Sequence, residues 1–442
     1  MTQPTPWISR FNEDITDEDI IKCVRVQPGP LHGLENQSER DAARQLEQAL
    51  QEAFIPTAQI VFLLRILYAA ARAYSIEAYS SVDAYEGRLY SVVFREPWQS
   101  AICITGLAGV GKSAILNALF RLMPKAFKID LPGHWNIPVC SMERLVMPPG
   151  LTNMASLLRE TEHGCEVLAK NALTAHAIYR DGVALIGIDE LQGVAAASSA
   201  NTRAAAAILQ VASLGPPVFY IANYSLVNKF LGRAQQEQHR LLPRPVVVHV
   251  DPPGSADWVA TLEGYQSVAP DVLCFRPGDD GDEIHRLTAG IKRSVIALSV
   301  AAYRMVRGRG QHKVGVDELR AAYKSLEYSI YRTDVEALVR LAVEGPRSKS
   351  KRKDLVCPFP QEARRANVVV DQKAVEHFER GLDEQHLRSS MTEQERQKST
   401  RLQPQPEQTT PAKGVRIRRK KATAESLLAA QEAFQRDAGL TP

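Results

Sequence analysis

Between Ala101 and Phe120 the chain reads AICITGLAGVGKSAILNALF, and no other stretch constrains its fold so tightly. Gly106 and Gly111 are separated by four residues and followed by Lys112 and Ser113. In that spacing exposed backbone N–H groups curl around phosphate oxygens. Gly106, Ala108, Gly109, Val110, Gly111, Lys112, Ser113 and Ala114 are the expected phosphate-holding set. Upstream, Ala101–Thr105 is a β-branched apolar run suited to a buried parallel strand. Downstream, Ile115, Leu116, Leu119 and Leu122 recur at helical spacing until Pro124. The loop therefore opens a helix whose N-terminal dipole also favours phosphate.

Strands expected at Ala101–Thr105, Ile137–Met142, Val183–Ile188, Val218–Ala222 and Val246–Val250 alternate with helical stretches. Such alternation predicts an α/β fold with a central five-stranded parallel sheet. Before it, a polar, proline-bearing start leads into a helical pattern over Asp41–Ser75, broken at Pro56. Beyond Asp251 the pattern is helical: Ile284, Leu287, Ile291, Val295 and Leu298 share one face, and Leu319, Tyr323, Leu326 and Ile330 another. These changes divide the chain into an N-terminal helical region (1–95), a P-loop core (96–252), a helical lid (253–345) and a tail (346–442). The tail opens on the basic run Arg347–Lys353 and continues rich in Gln, Glu and Pro to residue 412. It ends with Arg416, Arg418, Arg419, Lys420 and Lys421 ahead of a short helical pattern, Ala424–Phe434. So little apolar area cannot offset ordering entropy, and a largely flexible tail is expected. Its basic clusters suit nucleic acid or an acidic partner surface, with a solvated linker as the alternative.

Hydrolysing a bound ATP needs a magnesium ligand and a group that positions water. The stretch VALIGIDE at Val183–Glu190 supplies both. An apolar strand ending in Asp189 places a carboxylate at the sheet's C-terminal edge, where it shares Mg²⁺ with Ser113. Glu190 then polarises the attacking water. The next strand ends in Asn223, placed either to orient that water or simply to form the following turn. Arg233, Arg240 and Arg244 fall near the fifth strand; Arg240 and Arg244 are favoured as arginines acting on a neighbouring subunit's phosphates, with plain surface charge as the alternative. Arg293 follows Gly290 in the helical module and is expected to reach the γ-phosphate, although Lys292 beside it competes for that role.

Phosphate loop, Asp-Glu strand, Asn-ended strand, late arginines and helical lid together resemble an AAA+ ATPase. Within that superfamily the chain is similar to the TnsC/TniB transposition regulators. That closer likeness rests on Leu107–Ser113, Ile188–Gln192, the approach GPPVFYIAN to Asn223, and Leu287–Arg293. The segment Val24–Leu34 also looks similar to the region that, in such proteins, approaches the adenine. The resemblance implies ATP-dependent rings or filaments of the protein on target duplex DNA. It implies a signal from a TniQ-type adaptor, recruitment of transposase subunits, and disassembly on hydrolysis. Where the family often has Gly-Thr, this chain has Ala222-Asn223. A replication-initiator or helicase-loader ATPase is the alternative, and a nucleotide-gated scaffold without turnover is a third reading.

The net charge is +4, and a filament gains DNA affinity by repeating a few phosphate contacts per subunit, so no large basic patch is required. Lys125, Lys128 and Arg144 are the candidate DNA contacts, with solvated charge as the alternative. Six cysteines lack any C-x-x-C pairing and read as reduced thiols in a cytoplasmic protein without a metal cluster. The most apolar stretch, Ile60–Leu67, is too short to span a bilayer, so no membrane role is expected.

Overall fold

The computed structural model describes residues 4–91, 101–146, 175–189, 200–344 and 352–359. All of them fall within one compact unit. The tail readings beyond residue 359, including Arg416–Lys421 and Ala424–Phe434, and Glu190 of the expected hydrolytic pair lie outside the described residues.

Seven strands are described: β1 (Ile102–Gly106), β2 (Phe127–Leu131), β3 (His134–Val139), β4 (Met142–Val146), β5 (Leu185–Asp189), β6 (Val218–Asn223) and β7 (Arg244–Val248). Five of them form an all-parallel sheet in the order β4-β5-β6-β1-β7. β1 and β5 are buried at every residue, which is why they read as unbroken apolar runs rather than alternating ones. β6 lies between the phosphate-loop strand and the acidic strand. In register, Gly106 pairs with both Asn223 and Val248. A Cβ on Gly106 would meet the Val248 carbonyl oxygen at 2.5 Å, so only glycine permits this approach.

The second sheet strand departs from expectation. Ile137–Met142 is not one strand: Ile137 and Val139 belong to an antiparallel hairpin, β2–β3, and the sheet edge is β4. The chain turns at Cys140–Ser141 without the glycine that usually marks such a change. Cys140 is disulfide-bonded, which corrects the expectation of reduced thiols throughout; among the described residues Cys23, Cys103, Cys274 and Cys357 form no disulfide.

The helices before the sheet are α1 (Pro6–Ser9), α2 (Asp17–Val24), α3 (Glu39–Glu52), α4 (Ala58–Ala78) and α5 (Val82–Leu89). Thr16 and Asp19 form a reciprocal capping box on α2, and Ser38 caps α3. α4 is 21 residues with a mean hydropathy of 1.3, long and apolar enough to cross a bilayer by length and composition. This exceeds the shorter run read from sequence, yet half of that window is buried, and Leu64, Leu67 and Ala71 sit in the protein core.

α6 (Lys112–Leu122) follows the loop, and α7 (Ala175–Arg180) precedes β5. α8 (Ala200–Ala212), α9 (Tyr224–Leu231) and α10 (Gln235–Leu241) lie between β5 and β7. The helical module contains α11 (Ala256–Val268), α12 (Pro277–Thr288), α13 (Lys292–Arg307), α14 (Val316–Tyr323) and α15 (Ser329–Glu344). The apolar face Ile284–Leu298 is shared by two helices, because Ala289 and Gly290, with φ of 52° and 69°, end α12. The second expected face fails after Tyr323: Leu326 and Ile330 are 88% and 77% exposed, since a turn separates α14 from α15.

Three cores organise these elements. One joins α4 and the aromatic side chains of the N-terminal helices to Ile102, Ile104, Leu116 and Phe219. A second covers the other side of the sheet with α8 and α9. The third holds the helical module together and includes Leu46 and Leu50 of α3. The chain thus adopts the α/β P-loop class with a five-stranded parallel sheet followed by a helical module.

Candidate nucleotide site

The phosphate loop gets its shape from two left-handed glycines, Gly109 at φ 82° and Gly111 at φ 105°, the second capping α6. A Cβ on Gly109 would lie 2.8 Å from Arg293 Cβ and 3.1 Å from Ile291 Cγ2. The start of α13 therefore rests directly on the loop, and the Arg293 N–H donates to the Gly109 carbonyl at 3.2 Å.

Lys112 is buried, and its Nζ donates to the carbonyls of Gly106 at 2.9 Å and Leu107 at 2.7 Å. Burial, then the nearby Arg293 charge, lower its ammonium to about 8, with Asp189 acting in the opposite sense. Two cations, Lys112 and Arg293, thus converge where the sequence places a triphosphate. Ser113 Oγ lies 3.4 Å from Asp189 Oδ1, which brings together the two expected magnesium ligands.

Gly109, Gly111, Lys112, Ser113 and Arg293 line one cavity of about 480 Å³ with Ala108, Val110, Ala114 and Asn223. Its other wall is largely apolar, with Leu50, Phe54, Ile55, Ile60, Tyr265 and Tyr331 beside the polar Glu47, Gln51 and Thr261. A glycine cradle with two cations, an Asp–Ser pair and an apolar wall fits a nucleoside triphosphate with a divalent ion. Sequence reasoning missed Phe54, Ile55, Tyr265 and Tyr331. Val26, from the segment expected near the adenine, bridges to Phe54 through paired backbone bonds of 3.0 and 2.8 Å. The signal for Phe54 was the short apolar run before Pro56, between two helices.

Asn223 forms the turn that follows its strand and also borders the cavity. Its Oδ1 accepts from Leu226 N–H at 3.0 Å and from Ser225 Oγ at 2.8 Å, capping α9. Arg144, a candidate DNA contact, has partners within the chain. It stands on β4 with Nη1 donating to Asn117 Oδ1 at 2.8 Å and Nη2 4.0 Å from Asp189 Oδ2. Its guanidinium thus lies beside the acidic strand, with the side chain 32% exposed.

Lys125 and Lys128 are exposed, the latter on the β2–β3 hairpin that also carries Trp135, 73% exposed. Arg240 and Arg244 are exposed and not brought to the site within the chain; Arg244 pairs with Ile102, at the opposite end of β1 from the loop. Arg233 is paired with Glu237. Of the first basic cluster, Arg352 is described and bound to Asp334 at 2.8 Å and Asp354 at 2.9 Å.

No family model and no curated protein matches the chain. Among solved structures it is similar to the RuvB Holliday junction branch migration motor of Thermotoga maritima. The identity is 13%, with 64% of this chain and 75% of that one covered at a TM-score of 0.34. It is similar also to the ORC2 protein of Aeropyrum pernix in ADPNP–ADP complexes, 13% identical over 68% of this chain and 76% of that one, at a TM-score of 0.36. Both likenesses are distant, and the chemistry of the site rests on its own geometry.

Proposed function

We propose that the chain is an AAA+ ATPase that regulates transposition, assembling on target duplex DNA when ATP is bound and leaving it after hydrolysis. The observation that carries the nucleotide reading is the convergence of Lys112, Arg293 and Ser113 on one glycine-shaped cavity, with Asp189 behind Ser113 at 3.4 Å. Backbone N–H groups of the loop, with Lys112 and Arg293, hold the triphosphate. Ser113 and Asp189 would hold Mg²⁺, which when bound neutralises charge on the phosphates. Glu190 polarises water, Asn223 helps orient it, and Arg240 or Arg244 of a neighbouring copy faces the phosphates. Exposed Lys125 and Lys128 contact the DNA backbone. The sequence likeness supports a TniQ-type adaptor and transposase subunits as partners, with the tail offering the surface for them.

Electron micrographs of the protein with duplex DNA and a slowly hydrolysed ATP analogue test this reading. Regular assemblies are expected from the parent protein and none from Lys112→Ala, whereas Glu190→Gln should hold its assemblies after ATP is added. A protein that stays monomeric with ATP, magnesium and long DNA together overturns the assembly. Phosphate release that is unchanged in Glu190→Gln overturns the hydrolytic role.

A further inference from the structure

Lys292 opens α13 one residue before Arg293 and lines the same cavity. Its Cδ comes within 3.9 Å of where a Cβ on Gly111 would stand, so its stem already runs beside the phosphate loop. Its ammonium is nonetheless engaged elsewhere, 3.6 Å from Asp251 Oδ2. The two side chains are only 16% and 5% exposed.

Asp251 follows the last sheet strand and is gripped from several elements. Gln59 of α4 donates to its Oδ1 at 3.3 Å and to the His249 carbonyl at 2.7 Å. His285 of α12 places Nε2 3.1 Å from the Asp251 carbonyl, a contact that requires the proton on that nitrogen. The ion pair therefore ties the first turn of α13 to the end of the sheet. At 3.6 Å, a buried pair recovers only part of the cost of desolvating both charges. Burial pushes the Asp251 carboxyl up and the Lys292 ammonium down, as expected for a pair under that strain.

We propose that Lys292 is a reserve phosphate ligand: Asp251 holds its ammonium in the nucleotide-free protein, and a bound triphosphate draws it to the loop and unties α13 from the sheet. The inference rests on the nucleotide-binding reading of the cavity. Its physical basis is competition between one carboxylate and a polyanion for a single cation whose stem already borders both. ATP, with one more charged phosphate than ADP, is the stronger competitor. The lid would thereby register which nucleotide is bound through a residue beside Arg293, without needing Arg293 itself to move.

Asp251→Asn removes the competing charge while keeping the side chain's shape. In titration calorimetry of the full chain with magnesium, it should tighten ATP binding roughly 5- to 10-fold and ADP binding less. Lys292→Met should weaken ATP binding by a similar factor. In the double variant, which leaves no unpaired charge and serves as the folded reference by thermal melting, Asp251→Asn should add nothing. An Asp251→Asn protein that binds ATP no more tightly than the parent overturns the inference; if Lys112→Ala still abolishes binding, the nucleotide reading survives. Parent-like ATP binding by Lys112→Ala overturns the reading and the inference with it.

Discussion

A single lysine shows how burial is turned to use. Lys112 is satisfied by its own loop's carbonyls, and its ammonium sits at about 8 because of burial and Arg293. An unfolded lysine titrates near 10.4, so between about 8 and 10.4 the unfolded chain holds the extra proton. The nucleotide-free protein therefore gains stability from this group as pH rises through that window. Binding has the opposite sign, because phosphates favour the charged ammonium. ATP affinity should fall by up to about tenfold per pH unit above 8. Calorimetry in buffers of different ionisation heat should show proton uptake by the parent on ATP binding near pH 8.5, shrinking toward zero at pH 6.5; zero uptake at pH 8.5 contradicts the assignment. At Gly109 the constraint is steric. Gly109→Ala forces a left-handed alanine against Arg293 Cβ and should cost about 1–3 kcal/mol, read by urea unfolding. Parent-like stability would show that the loop and α13 can part freely.

At the scale of elements, local pattern was legible wherever burial was simple. β1, β5 and β6 are continuous apolar strands, and the phosphate loop with α6 follows its spacing. β4 escaped because Met142–Val146 contains Glu143 and Arg144, which disguise a sheet strand; Arg144 is there beside Asp189. Lys292 was named only as a rival to Arg293, since its partner Asp251 lies far away in sequence. The apolar wall of the cavity was illegible for the same reason, as Phe54, Tyr265 and Tyr331 meet only through tertiary packing. The N-terminal helices carry a further test. Trp7 is fully buried, with ring centroids 5.4 Å from Tyr79 and 4.5 Å from Tyr85, and Tyr79 stacks on Tyr179 at 5.0 Å. Arg10 reinforces the attachment by donating to the Gly182 carbonyl at 2.8 Å. Trp7→Ala should cost about 3–5 kcal/mol in chemical denaturation. A loss below about 1 kcal/mol would mean α1 is merely draped on the surface.

Across the whole molecule, the N-terminal region is a structural part of the rest. α4 covers Ile104, Leu116 and their neighbours, so a fragment beginning at Ala101 would expose that face of the sheet. Such a fragment should fail to give a cooperative thermal transition, and a sharp melt near the parent's would contradict this. α3 takes the other side: Leu46 and Leu50 belong to the helical module's core, and Arg307 Nη1 and Nη2 donate to the carbonyls of Leu34 and Gln37, each at 2.7 Å. One continuous early segment is thus divided between two cores, with only Ala53–Thr57 joining α3 to α4. Any shift of the helical module's core relative to the sheet's must be absorbed in part within those few residues. A fluorescent pair spanning Gln45 and Ala70 would then follow the motion from a stretch of chain that never touches phosphate.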